Sequence, residues 1–245
     1  MKILLFDCET FPNVAYVWGK YQQDVIRYKQ QTCMATFVAK WLGEKRVISK
    51  ALPHYPGYLP SSYDDRALVR DLYKLIDEAD IVVAHNAVDF DVKVANARFL
   101  AHGFPPPSPY KIIDTKREMK KVARVNSNRL DDLGEYFNFG RKIKTDFDLW
   151  EGCISGNMKS WRQMLRYNVK DVLLLERLYL RLRPWMKTHP HIGIDAACPK
   201  CGSKRIQWRG LGMNATVAYR RFQCQSCDGW GRAVKSEKRT NVTNI

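Results

Sequence analysis

An apolar run, Ile3-Leu4-Leu5-Phe6, ends in two carboxylates, Asp7 and Glu9, with Cys8 between them. The run reads as a buried β-strand. Side chains alternate across a strand, so Asp7 and Glu9 project from one side while Cys8 points away. Two anions this close repel, and without a cation the pair would hold a proton rather than two full charges. Acids are depleted at the ends of buried strands unless something there uses them. The chain therefore has to build a core around this strand and still employ its acid-bearing end.

The rest of the sequence supplies that core. Residues 2–8, 13–21 and 46–51 read as strands, and their close spacing predicts an antiparallel meander. Residues 52–63, with Pro53, Pro56, Gly57 and Pro60, read as a loop. A helix is expected over 64–78, with Leu68, Leu72, Leu75 and Ile76 on one face and Asp64 or Ser62 as its cap. A short buried strand (80–84), a helix (89–102) and a further strand (110–113) follow. Asp114 stands where it would cap a helix beginning near Thr115. Residues 115–182 are expected to be mostly helical, ending in a long amphipathic helix over 158–180, with Asp146 and Asp148 as solvated loop acids before it. The order of elements predicts an α/β fold with a mixed sheet.

At 245 residues the chain can hold one sizeable α/β core and a small second module, and is too short for a polymerase and a nuclease together. Pro184 and the stretch His189-Pro190-His191-Ile192-Gly193 mark a boundary. The expected domains are 1–185, a cysteine-bearing module at 196–234, and a polar, unstructured tail at 235–245. A formal charge of +16 points to a polyanionic partner, nucleic acid first. No apolar run reaches the length of about 18 residues that a membrane helix needs. The chain enters a strand at once, without a signal-peptide layout, and a cytoplasmic setting is expected. Four of the seven cysteines lie in two CxxC pairs, which fits metal binding in a reducing compartment better than disulfides.

Two further acids stand in suggestive contexts. Asp91 closes His85-Asn86-Ala87-Val88-Asp89-Phe90-Asp91, where a buried strand hands over to a helix, at the sheet edge where open α/β folds place ligands. His85 there reads as a satisfied buried histidine. Asp171 lies four residues after Tyr167 on the long helix, so the two share a face. The set Asp7-x-Glu9, then Asn86 through Phe90-Asp91, then Tyr167-x₃-Asp171 resembles the three motifs of the DEDD superfamily of 3′→5′ exonucleases, tyrosine subclass. A histidine subclass would need histidine where Arg166 stands. The opening Asp7-Cys8-Glu9-Thr10-Phe11-Pro12-Asn13 also looks like stand-alone phage and bacterial proteins of that superfamily.

The resemblance implies a ribonuclease-H-like fold over residues 1 to about 182. It also implies two Mg²⁺ or Mn²⁺ ions held by Asp7, Glu9, Asp91 and Asp171, which suits ions that prefer hard oxygen ligands. Asp7 would bridge both ions. Glu9 and Asp171 would serve the one that activates water, Asp91 mainly the other, and Tyr167 would orient the water. Thr10, Phe11, Asn86 and Phe90 would contact the terminal nucleotide, Phe11 by stacking or wedging.

Cys198-x₂-Cys201 and Cys224-x₂-Cys227, with twenty-two residues between the pairs, predict one structural Zn²⁺ in a zinc-ribbon module. Cys8, Cys33 and Cys153 read as unpaired thiols. Basic residues interleaved with Trp208, Tyr219, Phe222 and Trp230 suggest that the ribbon grips nucleic acid. The expected function is a metal-dependent 3′→5′ exonuclease on DNA, at single-stranded or frayed 3′ ends, with a replication or repair protein as a further partner. An RNA exonuclease, or a non-catalytic nucleic-acid-binding protein, is the alternative.

Overall fold

The computed structural model describes residues 1–21, 24–193, 195–214 and 216–239. The chain divides into two compact units, Met1–Leu178 and Tyr179–Ile245.

The first unit opens with β1 (Ile3–Thr10). Two short strands, β2 (Val14–Tyr16) and β3 (Arg27–Gln30), pair only with each other as an antiparallel hairpin. β4 (Met34–Trp41) and β5 (Ile48–Ala51) come next, followed by α1 (Arg66–Glu78), β6 (Ile81–Ala84), α2 (Asp91–Ala101) and β7 (Lys111–Asp114). Four helices complete the series: α3 (Thr115–Val122), α4 (Leu130–Tyr136), α5 (Phe147–Ile154) and α6 (Met158–Leu182). The sheet order is β5-β4-β1-β6-β7, with β1 antiparallel to β4 and parallel to β6. The sheet is thus mixed and flanked by helices, as the order of elements implies.

The meander differs from expectation in one place. Its second strand is β4, while most of 13–21 lies in or beyond the peripheral hairpin. β4 runs between β1 and β5 with seven of its eight residues buried. A strand covered on both faces lacks polar alternation, and Thr36 and Lys40 interrupt the apolar run that would have betrayed it. Those two residues have buried employment: the Thr36 hydroxyl donates to Asn168 Oδ1 at 3.1 Å and Lys40 pairs with Glu176 at 2.6 Å. Both partners are on α6, so α6 covers the sheet face that carries Thr36, Val38 and Lys40. Asp7 is in register with Val38 and Glu9 with Thr36, which turns both acids toward α6. Leu4, Phe6 and Cys8 face the other way, into a core shared with Leu68, Leu72 and Ile76 of α1.

Helix α1 starts one residue later than its cap candidates allow. Asp64 accepts the Arg66 backbone N–H at 3.1 Å, but the N-cap position belongs to Asp65. The buried Asp65 carboxylate turns inward to Arg98 (2.7 Å), His102 (2.6 Å) and the Met34 N–H (2.7 Å). Helix α6 keeps an apolar stripe of Trp161, Met164, Val172, Leu175 and Leu178, interrupted by Asn168 and Asp171. Asp146 and Asp148 sit at the start of α5 rather than in a loop, and both are exposed.

The second unit begins at Tyr179, inside α6 and upstream of the boundary suggested by Pro184. Among the described residues its strands are β8 (Ile206–Met213), β9 (Val217–Cys224), β10 (Trp230–Arg232) and β11 (Lys238–Arg239). β8, β10 and β11 each pair antiparallel with β9. The tail expected from 235 is therefore not wholly unstructured: Lys238 and Arg239 are held opposite Ala218 and Val217. Residues 240–245 lie outside the described residues. Among the described residues no helix is long and apolar enough to cross a membrane.

Candidate active site

β1 and α6 together place three carboxylates at one point. Asp7 and Glu9 leave β1 half-buried, and Asp171 is buried on α6. One oxygen from each lies within 4.8 Å of the others. Asp91, the first residue of α2, is only 1% exposed and stands on the Cys8 side of the strand. Its carboxylate accepts the Cys8 backbone N–H at 3.3 Å, with Cys8 Sγ at 3.8 Å. It therefore borders the trio rather than joining it.

Electrostatics make this cluster costly to ionise. Burial, then the charges of Asp91, Glu9 and Asp171, raise Asp7 well above the usual carboxylate range. Burial and Asp171 push Glu9 up to about 8. Asp91 is pushed up to about 7 by burial, against the lowering effect of the Cys8 N–H. Burial also raises Asp171, against the pull of Lys142. The Lys142 ammonium is in ion-pair contact with Asp171, and the Tyr167 hydroxyl also lowers the Asp171 pKa as a donor. Hard oxygen donors crowded together suit Mg²⁺ or Mn²⁺. The donor set fits the ions.

Two residues that the sequence did not single out complete the site. Lys142 lies between α4 and α5, its backbone N–H held by Asp131 at 2.7 Å. Its ammonium is 3.3 Å from the Tyr167 hydroxyl and 5.2 Å from that ring's centroid. Burial works against its charge, but Asp171, Tyr167 and Asp7 hold its pKa above the usual lysine value. In the sequence it stands in a basic run, Arg141-Lys142-Ile143-Lys144, which reads as solvated surface. Asn168 is fully buried and donates through Nδ2 to Asp7, while its Oδ1 accepts from Thr36. Its signal was available: it is a polar residue on an apolar helix stripe, three positions before Asp171.

Tyr167 is half-buried, edge-on to Trp150, whose indole N–H donates to the Thr10 carbonyl at 3.1 Å. Burial, then Glu9 and Asp171, raise its pKa, so the phenol stays neutral near neutral pH. Of the expected nucleotide contacts, Phe90 has an exposed ring (41%) and Thr10 is half-buried. Asn86 adopts a left-handed conformation (φ 75°) and accepts Lys116 Nζ at 3.1 Å. Phe11 is different. It is 1% exposed and packs against Tyr63 and Trp161, with centroids 5.4 and 5.6 Å away, so its ring has no face left to stack on a base.

The neighbouring polar residues serve structure. Asp114 caps α3 through the Lys116 and Arg117 N–H groups, and also takes those of Asn86 and Val88 at 3.2 Å. His85 is bonded to Thr115 Oγ1 and the Asn128 carbonyl, both at 2.9 Å, and burial lowers its pKa to about 4.

In the second unit, Sγ atoms of Cys198, Cys201, Cys224 and Cys227 all lie within 4.8 Å of one another. Cys198 and Cys227 are 3.8 Å apart, Cys201 and Cys224 3.6 Å. A tetrahedral ion with Zn–S bonds of about 2.3 Å requires edges of about 3.8 Å, so the four sulfurs fit one Zn²⁺. The two turns match each other. Gly202 N–H returns to the Cys198 carbonyl and Asp228 N–H to that of Cys224, both at 2.9 Å, with Gly202 and Asp228 at positive φ. Burial would raise Cys224, but the Ser226 and Cys227 N–H groups lower it to about 7. Cys8, Cys33 and Cys153 are free and buried.

Comparison with known proteins agrees with this architecture. No curated protein sequence matches the chain. Among solved structures, the family B DNA polymerase from the hyperthermophilic archaeon Pyrobaculum calidifontis superposes with a TM-score of 0.55 at 16% identity. That match covers 75% of this chain but only 25% of the polymerase, so the chain spans about a quarter of its length. A family model described as RNase_H superfamily matches residues 5–183, which include all four acids, Tyr167, Lys142 and Asn168. The chain belongs to the RNase_H superfamily.

Proposed function

We propose that the first unit is a divalent-metal-dependent 3′→5′ exonuclease of the DEDD tyrosine subclass, acting on DNA at single-stranded or frayed 3′ ends. The observation that carries this reading is the meeting of Asp7, Glu9 and Asp171 oxygens within 4.8 Å at the end of β1, with Asp91 alongside. Asp7, Glu9 and Asp171 would hold the ions directly and Asp91 would complete the set. When bound, the ions supply Lewis-acid stabilisation of charge on the attacking and leaving oxygens of the phosphodiester.

The protein's own groups do the rest. Asn168 fixes the orientation of Asp7 through a donated hydrogen bond. Lys142 holds Asp171 and stands beside the Tyr167 hydroxyl. Tyr167, kept neutral by its surroundings, orients water by hydrogen bonding and does not act as a base. Lys142 adds positive charge where a phosphate would enter. Phe90 offers the exposed ring for the terminal base.

The second unit is read as a zinc ribbon that helps hold the strand. On its sheet, the face bearing Gln207, Tyr219, Arg221, Gln223, Trp230, Arg232 and Arg239 carries no acid among its strand residues. Arg232 lies 3.8 Å from the Tyr219 ring centroid and Arg221 5.5 Å from that of Trp230. Rings and guanidinium groups so interleaved suit bases and phosphates together.

The test uses 5′-labelled single-stranded DNA, duplex DNA and RNA with Mg²⁺ or Mn²⁺. Ladders shortened from the 3′ end of DNA are expected. Preference for RNA would redirect the substrate assignment; internal cuts alone, or no metal-dependent cleavage, would refute the exonuclease.

A further inference from the structure

The β2–β3 hairpin departs from the rest of the first unit's surface. Between Val14 and Tyr28 it exposes Trp18 (89%), Tyr21 (74%), Tyr16, Val17, Val25, Ile26 and Tyr28. Protein surfaces seldom expose so many large apolar side chains together. Cations accompany them. Lys20 lies 5.5 Å from the Tyr21 ring centroid and Arg27 5.7 Å from that of Tyr16, with Lys29 nearby in sequence. Asp24 is the only acid between residues 11 and 32.

A two-stranded ribbon alone is marginal, but this one is anchored. Phe11 N–H donates to the Cys33 carbonyl at 3.0 Å, Thr32 Oγ1 to the Phe11 carbonyl at 2.7 Å, and Thr32 N–H to Asn13 Oδ1 at 2.7 Å. The anchor directly follows the acid-bearing strand. β2 begins four residues after β1 ends, at most about 14 Å of extended chain.

We propose that this hairpin is a binding arm for single-stranded nucleic acid. Bases stack on Trp18 and Tyr21 while Lys20, Arg27 and Lys29 meet the phosphates. It would grip the strand whose 3′ end lies among the acids, and to that extent it rests on the function proposed above. Charge selects this occupant. An apolar protein groove, or a second copy of the chain, would have to bury three cations against a single local carboxylate. A polyanion with flat, apolar bases meets both features at once.

The experiment measures fluorescence anisotropy of a labelled 12-nucleotide single-stranded DNA with the full chain carrying Asp7→Ala, so that the strand stays intact. Adding Trp18→Ala and Tyr21→Ala should weaken binding about 30-fold, since each lost stack is worth at least about 1 kcal/mol. Trp18→Phe with Tyr21→Phe should retain most of the affinity. Replacing Lys20, Arg27 and Lys29 by Ala should flatten the logarithmic salt dependence by about 2 units. Unchanged affinity in the alanine variant would overturn the proposal, as would an equal loss in the phenylalanine variant. Absence of binding without hairpin changes would also overturn it, as would a concentration-dependent dimer that the alanine variant abolishes in sedimentation. If the wild-type chain binds the strand but leaves it uncut with Mn²⁺, the exonuclease fails and the hairpin result stands independently.

Discussion

Replacing Glu9 by Gln should make the metal-free protein more stable and the metal-loaded protein less so. Burial and the charge of Asp171 lift the Glu9 carboxyl from an ordinary 4.5 to about 8. The folded protein therefore holds this proton more tightly than the unfolded chain. The stability this confers is full below pH 4.5 and is lost as pH rises toward 8. At about 1.4 kcal/mol per unit, the loss approaches 5 kcal/mol, an upper bound because the clustered acids share their protons. Gln cannot ionise and escapes the loss. Urea unfolding of protein freed of Mg²⁺ and Mn²⁺ should leave the two proteins close at pH 5 and favour Glu9→Gln by about 2–5 kcal/mol at pH 8. With Mn²⁺ at a hundredfold over its dissociation constant, the wild type should gain about 2.7 kcal/mol and the variant less. A variant less stable than wild type at pH 8 without metal would overturn this, because it would mean that another group of the protein already satisfies the ionised Glu9.

Lys142→Met should lower kcat about 10- to 100-fold, the worth of a charged hydrogen bond at the reacting centre, with Lys142→Arg recovering part; a change confined to KM would contradict its place beside Tyr167. For His85, held near 4 when folded against an ordinary 6.5, the unfolded chain takes up a proton that the folded one refuses. The stability difference between wild type and His85→Gln should therefore grow in favour of wild type as pH rises from 4 to 6.5, by about 3 kcal/mol at most, and level off above; a difference independent of pH would count against the buried neutral ring. Cys224→Ser should remove one equivalent of zinc per chain by elemental analysis, and unchanged zinc content would exclude the four-sulfur site.

The parts legible in the sequence were those carried by local pattern. Ile3 to Phe6 announced β1, and alternation put Asp7 and Glu9 on one side of it. The cysteine spacing announced two matching turns. What escaped depends on contacts distant in sequence. β4 hid because a strand buried on both faces has no alternation, and because its Thr36 and Lys40 find partners more than 130 residues away on α6. Lys142 hid in a basic run, since nothing local records that Asp131 draws that loop back over Asp171. Phe11 was misleading for the converse reason. It follows the acid-bearing strand, yet the chain turns it into the core beside Trp161.

The acids around β1 are proposed to be a metal site and not merely a buried oddity. Mn²⁺ binding to the zinc-loaded chain can be counted by equilibrium dialysis and electron paramagnetic resonance. Two Mn²⁺ per chain are expected for the wild type, with both lost or greatly weakened in Asp7→Asn. A wild-type chain that binds no Mn²⁺, or an Asp7→Asn chain that binds it equally well, would rule out a metal site at these acids.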